Sequence, residues 1–173
     1  MEEPLHTDRL RLRPFTDEDV EALHEMWSDP EIGPWVGGMH TDPRESVEEL
    51  GEHLRHQRRH GFGFWAVEER ESGRLVGEVG LMLFEGRGPE IETGWCFTRD
   101  TWGKGYAREA AAKWLEVAFE ELGFSRVIAV ILPGNERSIR LAEALGMRRA
   151  GMREAYGHEH LVFELGRDEF RRV

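Results

Sequence analysis

The stretch Trp102-Gly103-Lys104-Gly105-Tyr106-Ala107-Arg108-Glu109-Ala110 limits most sharply what this chain can fold into. It follows an apolar, strand-like run from Ile91 to Thr98 and opens an amphipathic helix. A glycine turn at a helix start points several free N–H groups at one spot. The helix dipole adds positive potential there, so the spot suits an anion such as a phosphate. Gly103 and Gly105 can take positive φ and let a ligand approach the main chain closely. The order strand, G-x-G-x-A turn, helix fits a phosphate cradle, and it also fits an ordinary tight βα turn. A P-loop does not fit, because the Gly-Lys-Ser/Thr ending is missing.

The rest of the chain narrows the choice. Its 173 residues predict a single domain over 1–173 with a real core. No apolar run is long enough to span a bilayer, and the acidic start Met1-Glu2-Glu3-Pro4 lacks the basic and apolar regions of a signal peptide. Cys96 is the single cysteine, so no intrachain disulfide is possible and a cytoplasmic location is expected. A net charge of −11 argues against nucleic-acid binding, which needs basic patches, and is compatible with a cationic or amine substrate.

Alternating residues from Leu5 to Phe15 predict one first strand, with Arg9, Arg11 and Arg13 on its other face. Thr16 caps a helix carrying Val20, Leu23 and Trp27, which Ser28-Asp29-Pro30 stops. The next loop carries Trp35 and Met39, which either line a pocket or plug the core. Asp42-Pro43 starts a second helix, with Val47, Leu50 and Leu54 expected inward and Gly61 at its end. On this helix His53, His56 and His60 share a face crowded by Arg55, Arg58 and Arg59, and read as a solvated basic face rather than a metal site. No metal is expected.

Strands are predicted over Phe62–Glu69, Leu75–Phe84 and Ile91–Thr98, then a helix to about Leu122 and a buried strand over Val127–Leu132. A short helix capped by Asn135 follows, then strands near Met147–Tyr156 and His160–Leu165. The order is β-α-α-β-β-β-α-β-α-β-β, an α/β fold whose central β-α-β unit is a parallel crossover around the glycine turn.

Four stretches in this order carry a family likeness. They are Leu5-His6-Thr7-Asp8-Arg9-Leu10-Arg11-Leu12-Arg13-Pro14 with Asp19 and Asp29-Pro30-Glu31-Ile32; Gly77-Glu78-Val79-Gly80-Leu81; Ile91-Glu92-Thr93-Gly94-Trp95 running into the glycine turn; and Pro133-Gly134-Asn135-Glu136-Arg137-Ser138-Ile139-Arg140 with Leu145-Gly146-Met147. Together they span nearly the whole chain. The chain resembles the GNAT superfamily of acyl-CoA-dependent N-acyltransferases, and most of all its RimJ/RimL branch of ribosomal-protein-alanine N-acetyltransferases. The resemblance implies the GNAT-type fold, a mixed central sheet with a splayed parallel strand pair flanked by helices. It also implies acetyl-CoA as co-substrate, an amine as acceptor, and a monomer or homodimer. The family turn reads Gln/Arg-x-x-Gly-x-Gly/Ala, and Trp102 stands here where Gln or Arg is usual. The backbone donors are indifferent to that change; a side-chain phosphate contact at 102 is lost.

By this resemblance the turn from Trp102 through Gly103, Lys104, Gly105 and Tyr106 to Ala107 holds the pyrophosphate. The strand edge at Trp95-Cys96-Phe97-Thr98 pairs with the pantetheine arm, a main-chain N–H near Phe97 polarises the thioester oxygen, and Asn135 contacts the pantetheine or caps its helix. Cys96 packs or lines the channel; no neighbouring His or Lys makes it a nucleophile. Glu92 is the candidate base that takes the amine's proton, and it reads equally as a structural carboxylate on the sheet. Ser138 resembles the hydroxyl placed near the departing sulfur, with Tyr156 as the alternative. The acceptor is expected to be a protein or peptide N-terminal α-amine. The alternatives are a small-molecule amine acetyltransferase and a non-catalytic acyl-CoA sensor. His158 and His160 read as part of a plain surface hairpin.

Overall fold

The structure, a computed structural model, describes residues 3–171. Met1 and Glu2 of the acidic start lie outside the described residues, as do Arg172 and Val173. Eight strands form one sheet: β1 (Leu5–His6), β2 (Leu10–Pro14), β3 (Phe64–Glu69), β4 (Leu75–Leu83), β5 (Ile91–Phe97), β6 (Arg126–Ile131), β7 (Arg148–Ala155) and β8 (His158–Gly166). The helices are α1 (Val20–Trp27), α2 (Pro43–His60), α3 (Tyr106–Glu116) and α4 (Glu136–Ala144). The strand order is β1-β2-β3-β4-β5-β6-β8-β7, antiparallel throughout except for the β5/β6 pair. The predicted α/β fold with a parallel crossover through α3 is the observed one.

The expected single first strand is two. Thr7 turns the chain, with its N–H donating to Leu10 O (3.0 Å) and its Oγ1 accepting from Leu10 N–H (3.1 Å). β1 folds back so that Leu5 stands opposite Leu12. The alternation is genuine, but it runs through a hairpin. The helix after the glycine turn continues to Glu121, with a π-helical last turn in which Leu122 N–H reaches Val117 O (2.9 Å).

The sheet separates two apolar clusters. Trp65 and Val67 on β3 join the cluster that contains Ala110, Ala111 and Trp114 of α3. Trp65 meets Trp114 edge-on, their ring centroids 5.0 Å apart. Ala66, between them in sequence, joins Leu23, Met26 and Trp27 of α1 and Leu50 of α2. Alternation along one strand thus places successive residues in opposite layers.

Helix α2 corrects the reading of its inner face. Asp42 is the expected N-cap and forms a capping box with Glu45, and Gly61 ends the helix at φ 77° as expected. However, Val47 is exposed, and the buried residues are Ser46, Leu50, His53 and His56. Polar side chains occupy the inner stripe, so hydropathy alone rotated it. The histidines are correspondingly no solvated face. His56 accepts from Leu83 N–H at Nε2 (3.1 Å), and its Nδ1 lies 2.9 Å from Phe62 O. Those partners set the proton on Nδ1.

Candidate active site

β5 and β6 are paired at Glu92 and Ile128 and then diverge. Thr98 N–H still reaches Val76 O of β4 (3.0 Å), so strand alternation turns the main-chain groups of Phe97 away from β4. Phe97 C=O accepts there from Trp102 Nε1 (2.9 Å). The indole at 102 therefore packs within its own chain, beneath the Arg137 guanidinium, which stands 3.4 Å from its ring centroid.

Two concavities meet at the splay. The first is a groove of about 480 Å³ along the glycine turn, lined among others by Gly103, Gly105, Tyr106 and Ala107. Gly103 has φ 78° with open space where a Cβ would lie, and Gly105 has φ 82° as the residue before α3. The first-turn N–H groups of a helix have no intrahelical acceptors. Arg108, Arg137 and Arg140 also line the groove. Backbone donors and three guanidiniums make a site for a phosphate-bearing ligand, so the residues present fit acyl-CoA. The turn is tied down from behind. Glu109 accepts from Thr7 Oγ1 (2.5 Å), Arg9 N–H (2.9 Å) and Arg9 Nε (2.7 Å), while Arg9 Nη1 donates to Lys104 O (2.8 Å).

The second concavity is a cavity of about 550 Å³ on the α1/α2 side. Trp35, Val36, Trp95, Cys96, Asn135 and Ser138 line both spaces. Its glutamates are Glu49, Glu78 and Glu92. Glu92 accepts a hydrogen bond from Tyr156 OH. Burial pushes its carboxyl up to about 7, against the opposing pull of that hydrogen bond and of nearby Arg153. Tyr156 OH also accepts from Glu85 N–H (3.1 Å), and Tyr156 N–H donates to Glu85 Oε1 (3.2 Å). Burial and the Glu92 carboxylate raise the phenol well above its ordinary range. Tyr156 holds φ 51°, a strained conformation for a bulky residue, and its side-chain bonds secure it.

Glu78 lies deeper, buried in the middle of β4. Its Oε1 accepts from Trp27 Nε1 (2.8 Å), and its Oε2 stands 3.6 Å from His53 Nε2. Although that spacing falls in ion-pair range, burial drives Glu78 up to about 8 and His53 down to about 4. The proton therefore stays on the carboxyl and the pair is neutral. Burial likewise pushes the Cys96 thiol up, which leaves it packed and unreactive.

The structure brings together Glu92, Tyr156, Trp95, Cys96, Asn135 and Ser138 around the splay. Asn135 Oδ1 caps α4 by accepting from Ser138 N–H (3.3 Å), and Ser138 Oγ accepts from Trp95 Nε1 (3.3 Å). Thr98 and Lys104 are not among the residues lining the groove; Thr98 Oγ1 donates to Val76 O (3.3 Å), and Thr101 lines the groove instead. His158 and His160 line the cavity, where a plain surface hairpin was expected. Sequence reasoning missed Arg108, Arg140, Glu78 and His53 as wall residues. A glutamate inside the apolar run Val76–Leu83 was the signal for Glu78; nothing local marked the others. Among the described residues no cluster of His, Cys, Asp and Glu is arranged to hold a metal ion, and no helix is long and apolar enough to cross a membrane.

Comparison with known proteins agrees with this geometry. The family described as acetyltransferase (GNAT) domain matches residues 9–148. YkkB of Bacillus subtilis is 35% identical over 145 residues, covering 83% of this chain and 84% of that protein. YoaA of the same organism, named an N-acetyltransferase, is 30% identical over 161 residues, covering 90% and 89%. The solved structure of an acetyltransferase from Agrobacterium tumefaciens superposes with a TM-score of 0.84 at 28% identity, covering 95% of both chains.

Proposed function

This chain belongs to the family of GNAT acetyltransferase domains, and from that premise we propose that it moves an acetyl group from acetyl-CoA to a primary amine, with Glu92 as the base. The observation that carries the assignment is the position of Glu92. It sits at the last paired position before β5 and β6 part, and it faces a cavity that opens onto the groove. An amine must shed its proton before its lone pair can attack a carbonyl carbon. A carboxyl held near 7 accepts a proton at neutral pH and gives it up readily.

The other groups take complementary roles. Bound acetyl-CoA supplies the thioester. The glycine turn and Arg108, Arg137 and Arg140 hold its phosphates, and Phe97 N–H polarises the thioester oxygen. As the new C–N bond forms and the C–S bond breaks, Ser138 O–H donates a hydrogen bond to the departing sulfur, which leaves as a thiolate and takes its proton from solvent while the serine keeps its own. Its Oγ accepts from Trp95, which leaves the O–H free to donate. Tyr156 is assigned to Glu92 rather than to the sulfur, because its O–H already donates to the carboxylate.

Two acceptor readings follow. The motif likeness to the RimJ/RimL branch supports a peptide N-terminal α-amine. Glu49, Glu78 and Glu92, with no lysine or arginine among the described residues lining the cavity, support a small basic amine. The geometry favours the second. Thiol release from acetyl-CoA over an Ala-started basic peptide, spermidine and an aminoglycoside separates them. Acetyl-CoA binding without turnover on any amine would leave a sensor and sink the transfer reading.

A further inference from the structure

We propose that the inner end of the cavity, at Glu78, His53 and Trp27, is a subsite for a second cationic nitrogen of the acceptor. The substrate is then a diamine or polyamine, with its reacting nitrogen at Glu92 and its distal ammonium at Glu78. The choice of reacting nitrogen rests on the acetyl-transfer reading; the distal site stands on geometry alone.

Two buried polar atoms of this wall are without partners. Glu78 is 5% exposed and His53 6%. Glu78 Oε2 and His53 Nδ1 have no hydrogen-bond partner, and the 3.6 Å between Glu78 Oε2 and His53 Nε2 is too long for a hydrogen bond. Folded chains pair such atoms almost without exception, and both residues line open space rather than a packed core. A bound ammonium that takes the place of the Glu78 proton and donates to Oε2 supplies what is missing.

Charge sets the sign of that group. Glu49, Glu78 and Glu92 face the cavity with no lysine or arginine among the described lining residues, whereas the adjoining groove carries Arg108, Arg137 and Arg140. The cavity offers an anion no lysine or arginine to hold it, although His40, His53, His158 and His160 also line it. Trp27 and Phe64 add aromatic faces suited to an ammonium. Without a counter-cation, burial keeps the Glu78 carboxyl at about 8, the condition a bound ammonium relieves.

The sheet register supplies the spacing. Glu78 stands opposite Cys96 and Glu92 opposite Met82, so both glutamates lie on one face with the Gly80–Gly94 pair between them. Four residues of strand span about 13 Å, and inclined side chains shorten the gap. The glycines make room for the Phe64 ring, which covers the floor between the two carboxyls: a Cβ at Gly94 would lie 2.7 Å from it. A flexible alkyl chain then runs from one carboxyl to the other over the face of that ring.

The test is calorimetric titration of the whole chain, with CoA present, using putrescine, cadaverine and butylamine. Wild type is expected to bind the diamines roughly ten- to hundredfold more tightly than butylamine, the gain of one charge-assisted hydrogen bond. Glu78→Gln is expected to collapse that ratio towards one. Equal affinity for diamine and monoamine in wild type overturns the subsite, whether or not the variant folds. A ratio that survives in Glu78→Gln overturns its placement. Thiol release measured in parallel separates the two readings. Selective diamine binding without thiol release keeps the subsite and sinks acetyl transfer, while equal thiol release from diamine and monoamine does the reverse.

Discussion

The groove and the cavity share a wall, yet they are built by opposite means. The groove is built round one run of consecutive residues, the glycine turn and the start of α3 with Arg108, to which α4 adds Arg137 and Arg140. Its proposed chemistry is largely that of the backbone, which does not depend on the side chain at 102. The cavity is made from side chains that the fold gathers from α1, α2, β3, β4, β5 and β8. Its chemistry is that of buried carboxyls whose proton affinities depend on every neighbour. Backbone sites tolerate sequence change and read anions; side-chain sites are sensitive to it and can discriminate among amines.

The largest effect that would break this division is at Glu92. Glu92→Gln is expected to lower kcat/KM by about 10²–10⁴. A parallel loss of acetyl-CoA affinity, measured by titration, would show that the two regions are not separate functions.

Glu78 tests whether the cavity is held against its own stability. Its folded carboxyl, at about 8, lies above the ordinary carboxyl value of 4.5, so the folded state binds the proton more tightly than the unfolded chain. The stability this contributes is present below about 4.5 and is lost as pH rises through about 8. Glu78→Gln should flatten the fall in unfolding free energy between about pH 4.5 and about pH 8, by up to about 5 kcal/mol. Urea melts across that range report it, and an unchanged slope would mean that burial at Glu78 is compensated elsewhere.

At the groove, Gly105→Ala forces a side chain into φ 82°. The expected cost is about 1–2 kcal/mol of stability, with acetyl-CoA bound about tenfold more weakly as the donors shift. Undiminished affinity would remove the backbone turn as the phosphate cradle.

The smallest effect sharpens the link between Tyr156 and Glu92. Glu92 acts as a base only when ionised, so activity rises with pH through about 7. Tyr156→Phe removes a hydrogen bond that holds this value down. The acid limb of the pH–rate profile should move upward, with a several-fold loss at neutral pH that is recovered in base. An unmoved limb would assign Tyr156 to packing alone.

The same contrast explains what could be read before folding. Strand and helix periodicity, caps at Thr16, Asp42 and Asn135, and glycine punctuation are local properties, and they determined the α/β order and the parallel crossover around Gly103–Gly105. The groove followed because its donors are neighbours in sequence. Periodicity could not see the Thr7 hairpin, since a tight turn leaves alternation intact. It also misplaced the inner face of α2, because Ser46, His53 and His56 are polar residues buried by partners elsewhere in the chain. Of the cavity wall the sequence marked Glu92, Trp95, Cys96, Asn135, Ser138 and Tyr156, but not the bond between Glu92 and Tyr156, since 64 positions separate them. By itself the sequence determined nearly all the elements, their order and the glycine turn that opens α3. Tertiary structure alone decided which carboxyls lose water and which side chains meet, because desolvation and long-range contact belong to the assembled sheet rather than to any stretch of the chain.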